Sequence, residues 1–314
     1  SYAERKKGLF FGRYLEDAIH ATLASKGKVL VFFNRKGFAT FAYCHSCGIV
    51  QKCPRCNVNL VYHFSDKLLV CHSCDFKIQP PEICPHCNAG YIKYSGAGVE
   101  KIESELSRIF PQAVIKKGDP EATESMEGAD ILVSTSAVIK QAGHFDLVAV
   151  LRIDDSLNRV DWRASEKSFA LLSGLLALTD KKMIIQTGFP EHSCFQALLK
   201  KDPQLFYEKE LRERKQLKYP PTSHMLLVKL RGRKEEKVEE ASRSLFKLLD
   251  ESSNHRIIRI LSVNPGQPSQ LRLNFYRVIL ARAALPEKAS SFLKKTLKNF
   301  RHSGIIVTVD VDPL

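Results

Sequence analysis

The stretch CHSCGIVQKCPRCNVNLVYHFSDKLLVCHSCDFKIQPPEICPHC, residues 44–87, carries eight of the nine cysteines of this 314-residue chain. They form four CxxC pairs: Cys44/Cys47, Cys53/Cys56, Cys71/Cys74 and Cys84/Cys87. A CxxC pair puts two thiolates on one tight knuckle, and tetrahedral zinc takes two knuckles, so the array is suited to two structural Zn²⁺ ions. A disulfide scaffold belongs to small secreted chains, and a redox CxxC stands once beside a βαβ unit, not four times in a row. His45, His72 and His86 lie inside the knuckles, but the sulfurs already complete both sites, so the histidines read as exposed spacers. Spacing alone leaves the pairing open. The hairpin-like NLVYHFSDKLLV (59–70) between the two inner pairs favours a nested scheme, inner pairs on one ion and outer pairs on the other. Such a module folds only with its metal. The ninth cysteine, Cys194, falls in a helical stretch and reads as a small buried hydrophobe.

On either side of this array the pattern alternates. GRYLEDAIHATLAS (12–25) spaces Leu15, Ile19 and Leu23 as on a helix, and KVLVFFN (28–34) is a buried-strand run. After the cysteines, VEKIESELSRIF (99–110) sets Val99, Ile102, Leu106 and Ile109 on one helical face. Strand candidates follow at 113–116, 129–135, 145–154 and 182–187, with a helix at 161–178. Continuous apolar strands between helices predict a parallel α/β sheet covered on both faces. The cysteine array (43–94) is therefore an insertion into one α/β domain made of residues 1–42 and 95–190.

From Glu191 the pattern changes. Two helical segments (191–201 and 203–217) form a connector to a domain over 218–314. There the expected order is strand 224–231, helix 235–250, strand 256–263, a loop NPGQPSQLRL (264–273), strand 274–283, helix 287–301 and strand 304–311. This βαββαβ order is the split βαβ arrangement of a small α+β domain. Arg272, Arg277 and Arg282 alternate with Tyr276 and aliphatic residues, and read equally well as a basic stripe for nucleic acid or as scattered surface charge.

The formal charge is +14, with 44% hydrophobic and 26% charged residues, ordinary for a globular chain. No apolar run approaches the ~20 residues of a membrane span, and SYAERKKGLFFGRYLEDA at the start has neither a signal-peptide core nor an initiator Met. A processed or excised chain in the reducing cytoplasm is the expectation. Residues 191–314 hold 24 Lys and Arg against 14 Asp and Glu, a local excess of +10. That excess favours a polyanionic partner, most simply nucleic acid.

FNRKGFATFAYCHSCGIVQKCPRC (33–56), LVCHSC (69–74), CPHC (84–87) and GAGVEKIESEL (96–106) together resemble the bacterial primosomal protein N′ (PriA) family, replication-restart DNA helicases of superfamily 2. The YPP turn (219–221) and VTVDVDPL (307–314) are similar to that family too, so the resemblance runs from Gly8 to Leu314. It implies that residues 1–42 and 95–190 are the second RecA-like helicase lobe. Residues 43–94 would be the cysteine-rich insertion that helps engage and separate DNA strands, and the C-terminal domain would contact DNA and the single-strand-binding protein. It also implies the nested ligand sets: Cys44, Cys47, Cys84 and Cys87 on one zinc, Cys53, Cys56, Cys71 and Cys74 on the other. Monomeric action on forked or single-stranded DNA beside other primosome proteins, nucleoid association, and a requirement for ATP and Mg²⁺ complete the implied picture.

The sequence also departs from the family. It contains no GxxxxGK[ST], hence no phosphate cradle for ATP. The family's motif V, GTQMxxKGHxF, meets STSAVIKQAGHF (134–145): Thr135, Lys140, Gly143 and His144 are recognisable, Ser136 replaces the glutamine, and two residues separate Lys140 from Gly143. Motif VI, QVAGRAGR, meets GLLALTDK (174–181), with Leu178 at the first arginine position and only Lys181 near the second. Such arginines stabilise the departing phosphoryl charge, and their loss costs roughly 10³–10⁵ in rate. The apolar LLSGLLAL predicts that packing replaces them.

Three readings compete. The first is a passive DNA-binding restart factor without ATP-driven unwinding; the second is half of an active 3′-to-5′ helicase; the third is a zinc-stabilised protein scaffold without a DNA role. They rank in that order. Asp154 and Asp155 read as loop or cap residues, not as a Mg²⁺ pair, and Trp162 and Arg163 as structural. Gly96 and Gly98, at the start of the 99–110 helix, are candidate contacts for DNA phosphate, since helix N-termini favour anions.

Overall fold

The computed structural model describes residues 11–33, 41–63, 66–90, 92–95, 99–118, 128–135, 139, 143–159, 161–252 and 257–313. Gly96, Gly98 and Lys140 lie outside the described residues. Helix α1 (Arg13–Ala24) and strand β1 (Val29–Phe33) precede five short strands, β2 (Phe41–Cys44), β3 (Val61–His63), β4 (Leu68–Val70), β5 (Lys77–Ile78) and β6 (Ile92–Ser95). Next come α2 (Val99–Ile109), β7 (Ile115–Lys117), β8 (Ile131–Ser134), β9 (Leu147–Leu151), α3 (Asp154–Leu157), α4 (Ala164–Leu176) and β10 (Lys182–Ile185). The chain continues through α5 (Ser193–Leu199), α6 (Pro203–Leu217), β11 (His224–Gly232), α7 (Glu235–Ser252), β12 (Ile258–Leu271), β13 (Asn274–Ala283), α8 (Pro286–Asn299) and β14 (Ile306–Val311).

Two compact units divide it: Ser1–Ala39 with Gly96–Glu210, and Thr40–Ser95 with Leu211–Leu314. The first unit is a five-stranded parallel sheet in the order β10-β9-β1-β8-β7. Its central strands, VLVFF and LVAVL, are buried at every position, because helices cover both faces and leave no polar side for alternation. Leu30, Phe32, Val148 and Val150 point to Phe169, Leu172 and Leu175 of α4 and to Phe195 of α5. Val29, Val31, Phe33, Ala149 and Leu151 point the other way, to Leu15 and Ile19 of α1 and Ile102 and Leu106 of α2. The expected parallel α/β lobe is thus present.

The second unit holds two antiparallel sheets, β5-β4-β3-β2-β6 in the cysteine region and β12-β13-β11-β14 at the C-terminus. The second has the βαββαβ order. Leu226, Val228, Leu230, Ile279, Ala281 and Ala283 pack on one face against Val238, Ala241, Leu245 and Leu249 of α7 and Ala289 and Leu293 of α8.

One expectation is corrected here. The predicted loop 264–273 is instead the continuation of β12, which runs from Ile258 to Leu271 with register shifts at Ile260/Ser262 and Pro265/Gln270. Pro265, Gly266 and Pro268 read as loop because proline cannot donate to a ladder. β12 is an edge strand, however, where prolines and bulges are tolerated. The hairpin therefore reaches much further and turns on just two residues, Arg272 and Leu273.

Candidate metal centre

All four CxxC pairs fold by one local rule. The first cysteine's N–H donates to the carbonyl five residues on (Cys44 to Ile49, Cys53 to Val58, Cys71 to Phe76, Cys84 to Ala89), at 2.8–2.9 Å. The residue four on (Gly48, Asn57, Asp75, Asn88) donates its N–H back to that cysteine's carbonyl, again at 2.8–2.9 Å. Closing this turn requires a left-handed residue just after the second cysteine, and these four have φ of 72°, 52°, 57° and 57°. Glycine, asparagine and aspartate are the residues that adopt it at low cost. The signal CxxC-[G/N/D] is legible in the sequence as Gly48, Asn57, Asp75 and Asn88, each directly after a second cysteine.

These knuckles gather the sulfurs into two groups, Cys44/Cys47/Cys84/Cys87 and Cys53/Cys56/Cys71/Cys74, each with its ligand atoms within 4.8 Å of one another. This is the nested arrangement. Sγ–Sγ separations of 3.5 Å (Cys44–Cys87), 3.7 Å (Cys47–Cys84) and 3.6 Å (Cys53–Cys74) are far longer than a disulfide bond of about 2.05 Å. Zn–S bonds of about 2.3 Å would set tetrahedral ligands about 3.8 Å apart, so the donor set fits two zinc ions. The thiols also oppose one another electrostatically. The Cys47 backbone N–H, against the effect of burial, holds Cys44 down to about 6, whereas burial pushes Cys56 up to about 12. Two Zn²⁺ would supply the positive charge that lets all eight sulfurs ionise together. His45, His72 and His86 are exposed, as expected of spacers.

The second cluster does not end with its own segment. At the β12–β13 turn, the Arg272 N–H donates to Cys56 Sγ at 3.3 Å and the Leu273 N–H to the Arg55 carbonyl at 3.0 Å. The Arg272 side chain donates from Nε to the Ser73 carbonyl at 3.2 Å, and Leu271 packs against the apolar cluster of Ala42, Cys53, Cys56, Leu60 and Leu69. Arg272 and Leu273 have φ of 49° and 63°, a turn that usually takes Asn-Gly. Holding two non-glycine residues there costs roughly 1–2 kcal/mol each, offset by the bonds to the cysteine module.

The proposed basic stripe is not assembled. Strand alternation puts Arg277 on the helix-covered face with Ile279 and Ala281, where it pairs with Glu239 at 3.2 Å and Glu235 at 3.7 Å. Tyr276 and Arg282 lie on the opposite face, and Arg272 is spent on the cysteine module.

Of the helicase-motif positions, Thr135 follows the carboxyl end of β8, while Gly143 and His144 precede β9 and Leu178 and Lys181 precede β10. The fold therefore splits them between opposite ends of the sheet. His144 pairs with Asp180 at 3.1 Å and Lys181 with Asp146 at 2.5 Å, and the Lys181 contact holds the Asp146 carboxyl below its usual range. Leu178 is buried with Phe145, Leu175 and Phe195 in the sheet core, as its apolar context predicted. Asp154 accepts from Thr187 Oγ1 and the Gly188 N–H, and Asp155 from Arg152, so both act within the fold. Arg163 pairs with Glu166 and stacks 5.7 Å from the Trp162 ring.

A parallel α/β lobe interrupted by a double four-cysteine module, which a βαββαβ domain clasps, defines a zinc-ribbon-bearing, multidomain α/β class. Residues 53–78 match the family described as the PriA DNA helicase Cys-rich region domain, and residues 215–314 the primosomal protein N C-terminal domain. Proteins named replication restart protein PriA are similar over nearly the whole chain. The Synechocystis one is 30% identical over 99% of this chain and 40% of its own length; that of Thermotoga maritima, 32% over 99% and 43%; that of Bacillus subtilis, 27% over 96% and 40%. The chain belongs to the PriA replication-restart family. It spans about two fifths of the length of these relatives.

Proposed function

We propose that this chain engages forked or single-stranded DNA during replication restart, and that the engaging surface belongs to the second unit. The observation that carries the reading is the docking of Arg272 and Leu273 onto the second cysteine cluster. It ties the cysteine module to the C-terminal domain, whose residues 218–314 hold 18 Lys and Arg against 9 Asp and Glu, so that two elements separate in sequence present themselves as one body. Zinc at the two cysteine clusters would make that body rigid, and basic side chains attract the backbone; the expected affinity falls steeply with salt as counterions are released. Single-strand-binding protein and other primosome proteins are the proposed partners. By itself the lobe is proposed not to hydrolyse ATP: Leu178 is in the core, Lys181 is committed to Asp146, and the sequence holds no P-loop.

Fluorescence anisotropy with forked and single-stranded oligonucleotides across a KCl series, with and without ATP and Mg²⁺, tests both halves. The expected result is salt-sensitive binding indifferent to nucleotide. Absence of binding at low salt refutes the DNA reading. ATP hydrolysis above background, stimulated by forked DNA, refutes the passive one.

A further inference from the structure

Beside the YPP turn, where α6 hands over to β11, lies a cavity of about 410 Å³. Four cations line it: Lys215 from the last turn of α6, Lys218 just after it, Arg259 from β12 and Arg282 from β13. Among the described residues no carboxylate lines it and none pairs with any of the four. Arg259 and Arg282 are direct cross-strand partners in the antiparallel ladder. Like charges placed opposite each other on one sheet face destabilise a strand pair, so this pairing works against folding unless an anion lies between them. Arg282 is already oriented by its bond from Nη1 to the Leu217 carbonyl at 3.3 Å, which leaves most of its N–H donors to face the cavity. The hydroxyls at the rim are occupied: Thr222 donates to the Tyr219 carbonyl and Ser223 to that of Lys218. What the cavity offers a ligand is therefore positive charge and guanidinium forks.

We infer that this cavity is a phosphate subsite, in which one backbone phosphate of a DNA strand sits between Arg259 and Arg282 and is flanked by Lys215 and Lys218. The inference rests on the DNA-binding reading above and gives it a location. A phosphate suits the chemistry because planar guanidinium groups grip its oxygens in pairs. A base suits it less well, since among the described residues no aromatic side chain lines the cavity to stack on one. An acidic peptide fits less well, because among the described residues the apolar walls are just Ile257, Ala283 and Ala284, too few to anchor a large apolar side chain.

The test compares wild type, Arg259→Gln and the double variant Lys215→Gln/Lys218→Gln. Binding to a short oligothymidine is measured by anisotropy across a KCl series, with zinc content and melting temperature recorded in phosphate-free buffer. Each variant is expected to lose affinity at low salt severalfold, with the slope of log affinity against log salt shallower by about 0.7 for one lost phosphate contact. Arg259→Gln is expected to melt no lower than wild type, since it removes a like-charge pair; a marked drop overturns the like-charge premise. If wild type binds and both variants keep its affinity and slope, the subsite is wrong while the DNA reading stands. If wild type does not bind at all, both fall. Unchanged DNA affinity with lost binding of an acidic peptide would assign the cavity to carboxylates and overturn the phosphate.

Discussion

The backbone N–H of Arg272 donates to the sulfur of Cys56 across 216 residues of sequence. Backbone N–H bonds to a thiolate stabilise its charged form, so a residue of the C-terminal domain helps to complete the second cluster without being a ligand. The metal site and the hairpin turn should therefore loosen together. Wild type is expected to hold two zinc ions per chain by elemental analysis, and Cys56→Ser one. In hydrogen exchange, Cys56→Ser should also deprotect the amides of Arg272 and Leu273; unchanged protection there would disprove the coupling.

The left-handed residues after each CxxC give a second expectation. Asn57, with φ 52°, should accept glycine with little loss, whereas Asn57→Val should cost about 1–2 kcal/mol. The check is the rate at which a chromogenic chelator strips zinc. Valine should speed the release and glycine should not.

Gly266 sits in the irregular part of β12, where an added Cβ would lie 2.6 Å from the Cβ of Tyr276. Gly266→Ala should force the two strands apart and lower stability by roughly 1–3 kcal/mol in urea unfolding. Because β12 delivers Arg272 to the cysteine module, zinc should also be released faster than in wild type.

Leu178, which the resemblance sets against the first arginine of motif VI, is only 8% exposed. Replacing it with arginine should not recreate a motor. It would bury an unpaired charge among Phe145, Leu175 and Phe195, at a cost of about 3–5 kcal/mol. Equilibrium denaturation of Leu178→Arg beside Leu178→Ala measures this. A stable Leu178→Arg with DNA-stimulated ATP hydrolysis would contradict the packing argument.

Glu239 is held below its usual range first by Arg277, then by Arg243. A carboxyl whose folded value is depressed stabilises the fold above its unfolded value of about 4.3, and that contribution disappears as the pH falls through the folded value. Arg277→Gln should therefore melt below wild type at neutral pH. The difference should narrow as the pH drops past about 4.3 and close in stronger acid; a gap that stays constant with pH would point to lost packing instead.

Much of this was legible in the residues themselves. VLVFF and LVAVL, apolar at every position, announced strands covered on both sides. Four CxxC pairs announced two clusters, and the βαββαβ order followed from helical and strand periodicity. What stayed hidden was non-local. Pro265 and Pro268 looked like loop residues because their tolerance depends on lying at a sheet edge, which only the assembled topology reveals. Arg277 looked equivalent to Arg282, yet five residues along an alternating strand is an odd step and reverses its face. Nothing near Cys56 hints that a turn from the other end of the chain will donate to its sulfur.

Strands β2 and β6 pair antiparallel, with Phe41 opposite Ser95 and Cys44 opposite Ile92. The segment from Phe41 to Ser95 therefore begins and ends a single strand's width apart, about 5 Å. The entropy of closing such a detour grows only with the logarithm of its length. To the parallel sheet, the whole segment from Phe41 to Ser95 behaves as an interchangeable cassette: it could be lengthened, shortened or exchanged for another fold with neighbouring ends while VLVFF still found its place.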